Sequence, residues 1–205
     1  VFIRILRGQA LDGVATRAEL ARWRHELGSG ALGWQRLTAG IADGGELVVV
    51  LRYDSEATAR RDQDRPELIA WQASAERHLA GPGHWYDCPV VHTMKGGDAG
   101  EAGFVRVVQG RLADPVRLAA MRDEVERTLR DRAPHVLGVT VAEHADGTGF
   151  TELTYLTSER ESRAADREMP VEMAVQLGTV RSYVEALREV ELRKPLLCSS
   201  AVGVA

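Results

Sequence analysis

Arg106, His144, Glu152 and Tyr155 are the residues whose types could do chemistry together. A guanidinium offers a fixed fork of donors to a phenolate or a carboxylate, and a carboxylate, an imidazole or a phenol can move a proton to or from a bound molecule. Arg106 lies on an apolar, β-branched run and shares the period-of-two face of Phe104 and Val108, so its charge calls for a partner. Either it is a structural ion-pair member, with Glu152 on a neighbouring strand as its carboxylate, or it binds an anionic group of a ligand. Arg4 stands between Phe2 and Leu6 in the same way. Phe150-Thr151-Glu152-Leu153-Thr154 is polar where the matching run Leu47-Val48-Val49-Val50-Leu51 is wholly apolar. Such polarity on a strand that should line a core implies either a water-accessible cavity, with Thr151 on its wall, or a solvated face. His144 then either relays a proton or is an exposed residue of the turn at Asp146.

A second location is the aromatic set Trp71, His78, His84, Trp85 and Tyr86, in which a helix end and its loop could close over a planar ligand. Trp71 and His78 are seven apart and would share a helix face. Trp71, His78 and Trp85 are therefore candidate substrate-binding residues, the alternative being core packing for the tryptophans and solvated histidines. The two cysteines, Cys88 and Cys198, have no CxxC or Cys/His spacing, so neither metal nor disulfide is expected. Gly28 to Gly33 and Gly96 to Gly103 lack the lysine and setting of a phosphate cradle, and no GxSxG elbow occurs. A net charge of -4 argues against nucleic acid. No apolar run is long enough to span a bilayer and no signal-peptide pattern opens the sequence, so a protein without membrane partner, in the cytoplasm, is expected.

The elements that must position these residues are legible because the sequence repeats. Phe2-Ile3-Arg4-Ile5 before Gly8 recurs as Phe104-Val105-Arg106-Val107 before Gly110, and D-x3-P-x3-A-x-Q occurs as Asp62, Pro66, Ala70, Gln72 and as Asp166, Pro170, Ala174, Gln176. The boundary falls in the Gly-rich stretch 95–103, giving halves 1–97 and 98–205. Each half opens with a strand, continues with a helix (14–27; from Pro115 after an Asp114 cap), and makes a hairpin about Asp43-Gly44 or Asp146-Gly147. Helices beginning at Ser55 and Ser158 are broken by Pro66 and Pro170 and run on to about Leu79 and Leu187. Strands at Pro89 to His92 and Pro195 to Cys198 close the halves. The order βαββαβ is the split βαβ unit, whose sheet has one bare face. The fold class expected is therefore α+β, two tandem ferredoxin-like units packed sheet to sheet as an intramolecular dimeric α+β barrel, a pseudo-dimer within the chain that could pair further into a homo-oligomer.

The two colinear units, with Tyr53-Asp54-Ser55-Glu56-Ala57 leading into a Pro-broken helix that ends in Ala70-Trp71-Gln72, resemble the antibiotic-biosynthesis-monooxygenase branch of the dimeric α/β-barrel superfamily. The resemblance covers nearly the whole chain and is structural. Leu6, Asp62 and Gln72, with Val108, Asp166 and Gln176, stand where heme-degrading members carry Asn, Trp and His, so no heme and no other cofactor is expected. What the resemblance implies is a cofactor-free oxygenase of a small aromatic molecule, a polyketide-type phenol or anthrone. Arg106 would hold the enolate oxygen, and His144 or Tyr155 would relay a proton. A non-catalytic binder and an oxygen-independent isomerase or cyclase are the alternatives.

Overall fold

The computed structural model describes residues 1–97 and 100–200, so residues 98 and 99 of the expected connector lie outside it. Both halves follow one order. The first has β1 (Phe2–Gln9), α1 (Gly13–Arg22), β2 (Trp34–Ile41), β3 (Glu46–Tyr53), α2 (Glu56–Gln63), α3 (Pro66–Glu76), β4 (His84–Cys88) and β5 (Val90–Met94). The second has β6 (Phe104–Leu112), α4 (Pro115–Arg132), β7 (Val136–Glu143), β8 (Gly149–Leu156), α5 (Glu159–Arg167), α6 (Val171–Arg181), β9 (Val184–Arg193) and β10 (Leu196–Ser199).

Local chemistry explains the starts and turns. The Asp12 carboxylate accepts from the amides of Val14 and Ala15, and Asp114 accepts from that of Arg117, so both long helices begin on a side-chain cap. Ser55 and Ser158 cap α2 and α5 in the same way. Pro66 starts α3 in the first turn, where its missing N–H costs nothing. Past α1 the chain widens into a π-helical turn, Trp23–Leu27. Asp146 accepts from the amides of Thr148 and Gly149, while Gly147 takes φ +75°, which favours glycine.

The strands form two antiparallel five-stranded sheets, ordered β10-β2-β3-β1-β4 and β5-β7-β8-β6-β9. The ferredoxin-like α+β class read from the sequence is thus the class observed. Two strands differ from expectation. The last helix of the second half does not reach Leu187: it stops at Arg181, and Leu187 lies in β9. The run from Glu185 has good helix formers, but pairing beside β6 and burial of Val190 and Leu192 in alternation override that propensity. The loop expected at His84 to Tyr86 is likewise β4, which pairs with β1 from Arg7↔His84 to Ile3↔Cys88. Because β10 completes the first sheet and β5 the second, the compact units are residues 1–91 with the segment from 192, and residues 92–191. The repeat in sequence and the unit in space are different divisions of this chain.

The units differ in how their helices meet their sheets. In the first, α1 buries Thr16 and Leu20, and α3 buries Leu68, Trp71 and Ser74. They pack with Trp23, Trp34, Phe2, Leu6 and Val49 in one continuous core. In the second, no residue of α4 or α6 is buried. A smaller cluster of Phe104, Val136, Val139 and Leu156 carries only half-buried Val125, Leu129 and Met173 from those helices.

Ala186 in β9 holds φ +51°, a left-handed conformation that its Cβ disfavours. Ala186→Gly is expected to raise stability by up to about 1 kcal/mol, the relief of that crowding less the extra freedom glycine gives the unfolded chain. Chemical denaturation at equilibrium measures it.

Candidate functional site

In the second unit β6 and β8 pair with Phe104↔Leu156, Arg106↔Thr154 and Val108↔Glu152. Alternation places Arg106, Glu152 and Thr154 on one face with Phe104 and Leu156, the face that the helices cover. Arg106 is held from three sides there. Its Nη2 donates to Asp166 Oδ2 at 2.8 Å and to Ser162 Oγ at 3.2 Å, both on α5, and its Nε lies 3.1 Å from Glu189 Oε1 on β9. Among the described residues nothing accepts from Nη1, and Nε, though close to Glu189, makes no hydrogen bond.

Glu152 is the diagonal neighbour of Arg106 on this face. Its carboxyl is enclosed, though the residue as a whole keeps some accessible surface. The Thr154 hydroxyl donates to Oε1 at 3.1 Å, and Oε2 has no hydrogen bond among the described residues. Burial pushes the Glu152 carboxyl above its ordinary range, against the opposing pull of Thr154 and Arg106. The ion pair expected between Arg106 and Glu152 is therefore not the one formed: Asp166 and Glu189 hold the arginine. His135, at the entry to β7, has its pKa pushed down by burial. A groove of about 420 Å3 between α4 and α6, lined by Glu124, Arg127, Asp131, Arg132 and Glu172, meets the apolar cluster at Met173.

The remaining expected residues lie elsewhere. Tyr155 and Thr151 alternate with Glu152 and so occupy the opposite face of β8, both buried. His144 is not an exposed turn residue: it is buried, with Nε2 2.9 Å from Thr151 Oγ1, in space that exists because position 149 is glycine. The four residues expected to act together are thus two on each face of one sheet. Trp71, His78 and Trp85 belong to the first unit. Trp71 is buried and donates its indole N–H to the Glu19 carbonyl at 2.9 Å. His78 follows the end of α3, 4.0 Å from the Glu19 carboxylate. Trp85 stands on β4 with the Arg4 guanidinium over its ring at 4.5 Å. Trp71 and Trp85 line a residual cavity of about 20 Å3, room for roughly one water.

The first unit repeats the arginine with different company. Arg4 Nε donates to Asp87 at 2.8 Å, and Gln63, with its amide oxygen turned toward the arginine, accepts from Nη1 at 2.8 Å. Fully buried Asp62 accepts from the Tyr53 hydroxyl at 2.9 Å and pairs with Arg65 at 2.8 Å. Asp166, Glu189 and Ser162 were not singled out as site residues by the sequence. The repeated D-x3-P pattern was the signal for Asp166; Glu189 lies between the helix expected to end at about Leu187 and the strand expected from Pro195, in what proved to be β9.

No family model and no curated protein matches the sequence. Solved structures do match the fold. A candidate monooxygenase of Fusobacterium nucleatum aligns with 99% of this chain and 95% of its own, at TM-score 0.77 and 8% identity. An anthrone oxidase-like protein aligns with 100% and 95%, at TM-score 0.69 and 11% identity. A ferredoxin-fold protein of Listeria monocytogenes, related to antibiotic biosynthesis monooxygenases, covers 95% and 95% at TM-score 0.50 and 10% identity.

A carboxyl whose folded pKa is raised costs stability once it ionises, so its penalty is absent below the unfolded value and grows as pH rises through the folded one. Glu152→Gln is therefore expected to melt higher than the parent above neutral pH, with the difference shrinking toward acid; melting curves across pH measure it. The chain has, in fold, the α+β ferredoxin-like architecture of these monooxygenase-like proteins.

Proposed function

We propose that this chain is a cofactor-independent oxygenase of a small aromatic molecule, a phenol or anthrone, working from the helix-covered face of the sheet in the second unit. The observation that carries the reading is the nearness on one face of an enclosed carboxylate, Glu152, its pKa raised and one oxygen unspent among the described residues, and a guanidinium, Arg106, whose Nη1 has no acceptor among them. A carboxylate with a raised pKa is a stronger base than an ordinary one at the pH where both are ionised. It can take a proton from a carbon flanked by aromatic rings. The electron pair left behind spreads onto the ring oxygen, where the Nη1 donors meet it.

The chemistry then balances with molecular oxygen alone. The carbanion transfers its electrons to oxygen and forms a carbon–oxygen bond, and protonated Glu152 returns its proton to the peroxide. A second removal of the carbon-bound proton by Glu152 breaks the O–O bond to leave a ketone, and the departing hydroxide takes that proton as water. One CH2 and one O2 become one C=O and one H2O. The resemblance in fold to an anthrone oxidase-like protein supports this class of substrate without fixing it. His144 and Tyr155 are not assigned a part in this scheme, because both lie on the other side of β8.

A pocket protein that binds the same molecule unchanged is the second reading. It is favoured by the pairing of Arg106 with Asp166 and Glu189, which already compensates the charge that an oxyanion would meet.

Oxygen uptake by the purified protein with anthrone, against heat-denatured protein, is the test. Uptake with quinone formation is expected, falling about 10²–10⁴-fold in Glu152→Gln and about 10²-fold or more in Arg106→Ala, and rising with pH as Glu152 ionises. A raised melting temperature with no uptake points to the binder.

A further inference from the structure

A surface helix ordinarily keeps charge on the side that faces water, as α4 does from Arg117 to Arg132. Helix α6, Val171–Arg181, has only Glu172 near its start and Arg181 at its end. Between them Val171, Ala174, Val175 and Gly178 recur at i, i+3, i+4 and i+7, so they lie on one side. That side is open. Val171 is 74% and Val175 63% exposed, Ala174 is exposed, and a Cβ added at Gly178 would meet nothing within 4 Å. Met173, Leu177 and Val180 make the other, half-buried side. The helix is thus apolar on both sides, the composition of one that is covered all round. In the first unit the residues that match Val175 and Gly178 by the D-x3-P-x3-A-x-Q pattern are Trp71 and Ser74, and both are buried.

The ends of this face are opposite in charge. Glu168, two residues ahead of Pro170, and Glu172 stand at its start, and Arg181 stands at its finish. All three are exposed, and none is in a salt bridge among the described residues. Along one flank runs the groove between α4 and α6, where Arg127, Asp131 and Arg132 are likewise outside any salt bridge among the described residues. An apolar centre within a rim of spare charges of both signs has the anatomy of a protein interface. The pattern is also its own complement. Two α6 helices laid antiparallel about a point between Ala174 and Val175 set Val171 against the partner's Gly178, and Ala174 against the partner's Val175. Small residues let the axes approach, and the valines fill the gaps that they leave. Each Arg181 then meets the acidic end of the other helix.

We propose that a second copy of the chain docks on this face, through an antiparallel contact of α6 with α6 about a two-fold axis. An isologous dimer requires one patch that complements itself, and the order of charges and side-chain sizes along α6 meets that requirement. A membrane surface would instead favour a rim dominated by cations, and this rim carries both signs. Eleven residues of helix span about 16 Å, which puts the contact below the roughly 1,200 Å2 of a standard stable interface. Association is therefore reversible, with a Kd of about 10–100 µM. None of this rests on the function proposed above.

Sedimentation velocity of the full chain, from about 1 µM to about 1 mM, decides the matter. The parent is expected to pass from monomer to dimer over that range. Val175→Lys, a change at an exposed position, is expected to weaken the dimer about 100-fold or more, because the two-fold axis places the new charge in the contact twice; Val171→Lys replaces it should that variant not fold. Arg181→Glu is expected to weaken the dimer about 10-fold, and adding Glu168→Arg and Glu172→Arg to it restores association, because the reversed ends are complementary again. A parent that stays monomeric throughout overturns the proposal. If that monomer binds vesicles of phosphatidylcholine and phosphatidylglycerol and the Val175→Lys variant does not, the face belongs to a membrane. A dimer that Val175→Lys leaves unchanged also overturns the proposal, as does a dimer lost in Arg181→Glu and not recovered by the charge reversal.

Discussion

An arginine on the helix-covered face of a sheet is the constraint around which both units are arranged. A guanidinium cannot be left uncompensated among apolar side chains, so each must be met by carboxylates from elements that fold over it. The proline that breaks the helix after β3 or β8 leaves an aspartate beside that break; Asp166 meets Arg106, whereas Asp62 is held by Tyr53 and Arg65. The edge strand β4 or β9 supplies the other carboxylate, Asp87 or Glu189. Strand order follows from the same need, since β1 and β6 must each have an edge strand on one side and the hairpin on the other.

From that shared plan the units diverge through a handful of side chains. Where β3 ends in Tyr53, a hydroxyl occupies Asp62 and draws in Arg65. Where β8 ends in Leu156, Asp166 is free to reach Arg106. Glu152 stands where the first unit has the apolar Val49, and its enclosed carboxyl is eased by the Thr154 hydroxyl and the charge of Arg106. Close packing and an accessible recess exclude one another at the same place, because side chains that fill a core leave no partner-free surface for a ligand. The first unit is filled by its tryptophans, and the second carries a smaller apolar cluster under its helices.

Much of this was legible in the residues. Repeated spacing gave the halves, and capping residues, the Asp-Gly turns and the two prolines gave most element starts, since these are local rules acting on backbone groups within a few residues. Arg106 and Glu152 stood out because each breaks an apolar strand pattern. What failed to show was whatever depended on partners distant in sequence. Glu185 to Arg193 looks helical until a neighbouring strand claims its hydrogen bonds. Tyr155 and His144 appeared close to Glu152 because nearness in sequence conceals which way a strand points its side chains.

The sequence by itself determined the α+β class, the repeat and the presence of a charge on a core strand that needs a partner, all consequences of periodicity and side-chain type. Only the tertiary structure decided which carboxylates meet Arg106, which face of β8 the helices cover, and how fully each unit is packed. Those depend on strand register and on how far each helix stands from its sheet. Both are set by the summed packing of residues from many elements, and no local pattern records them.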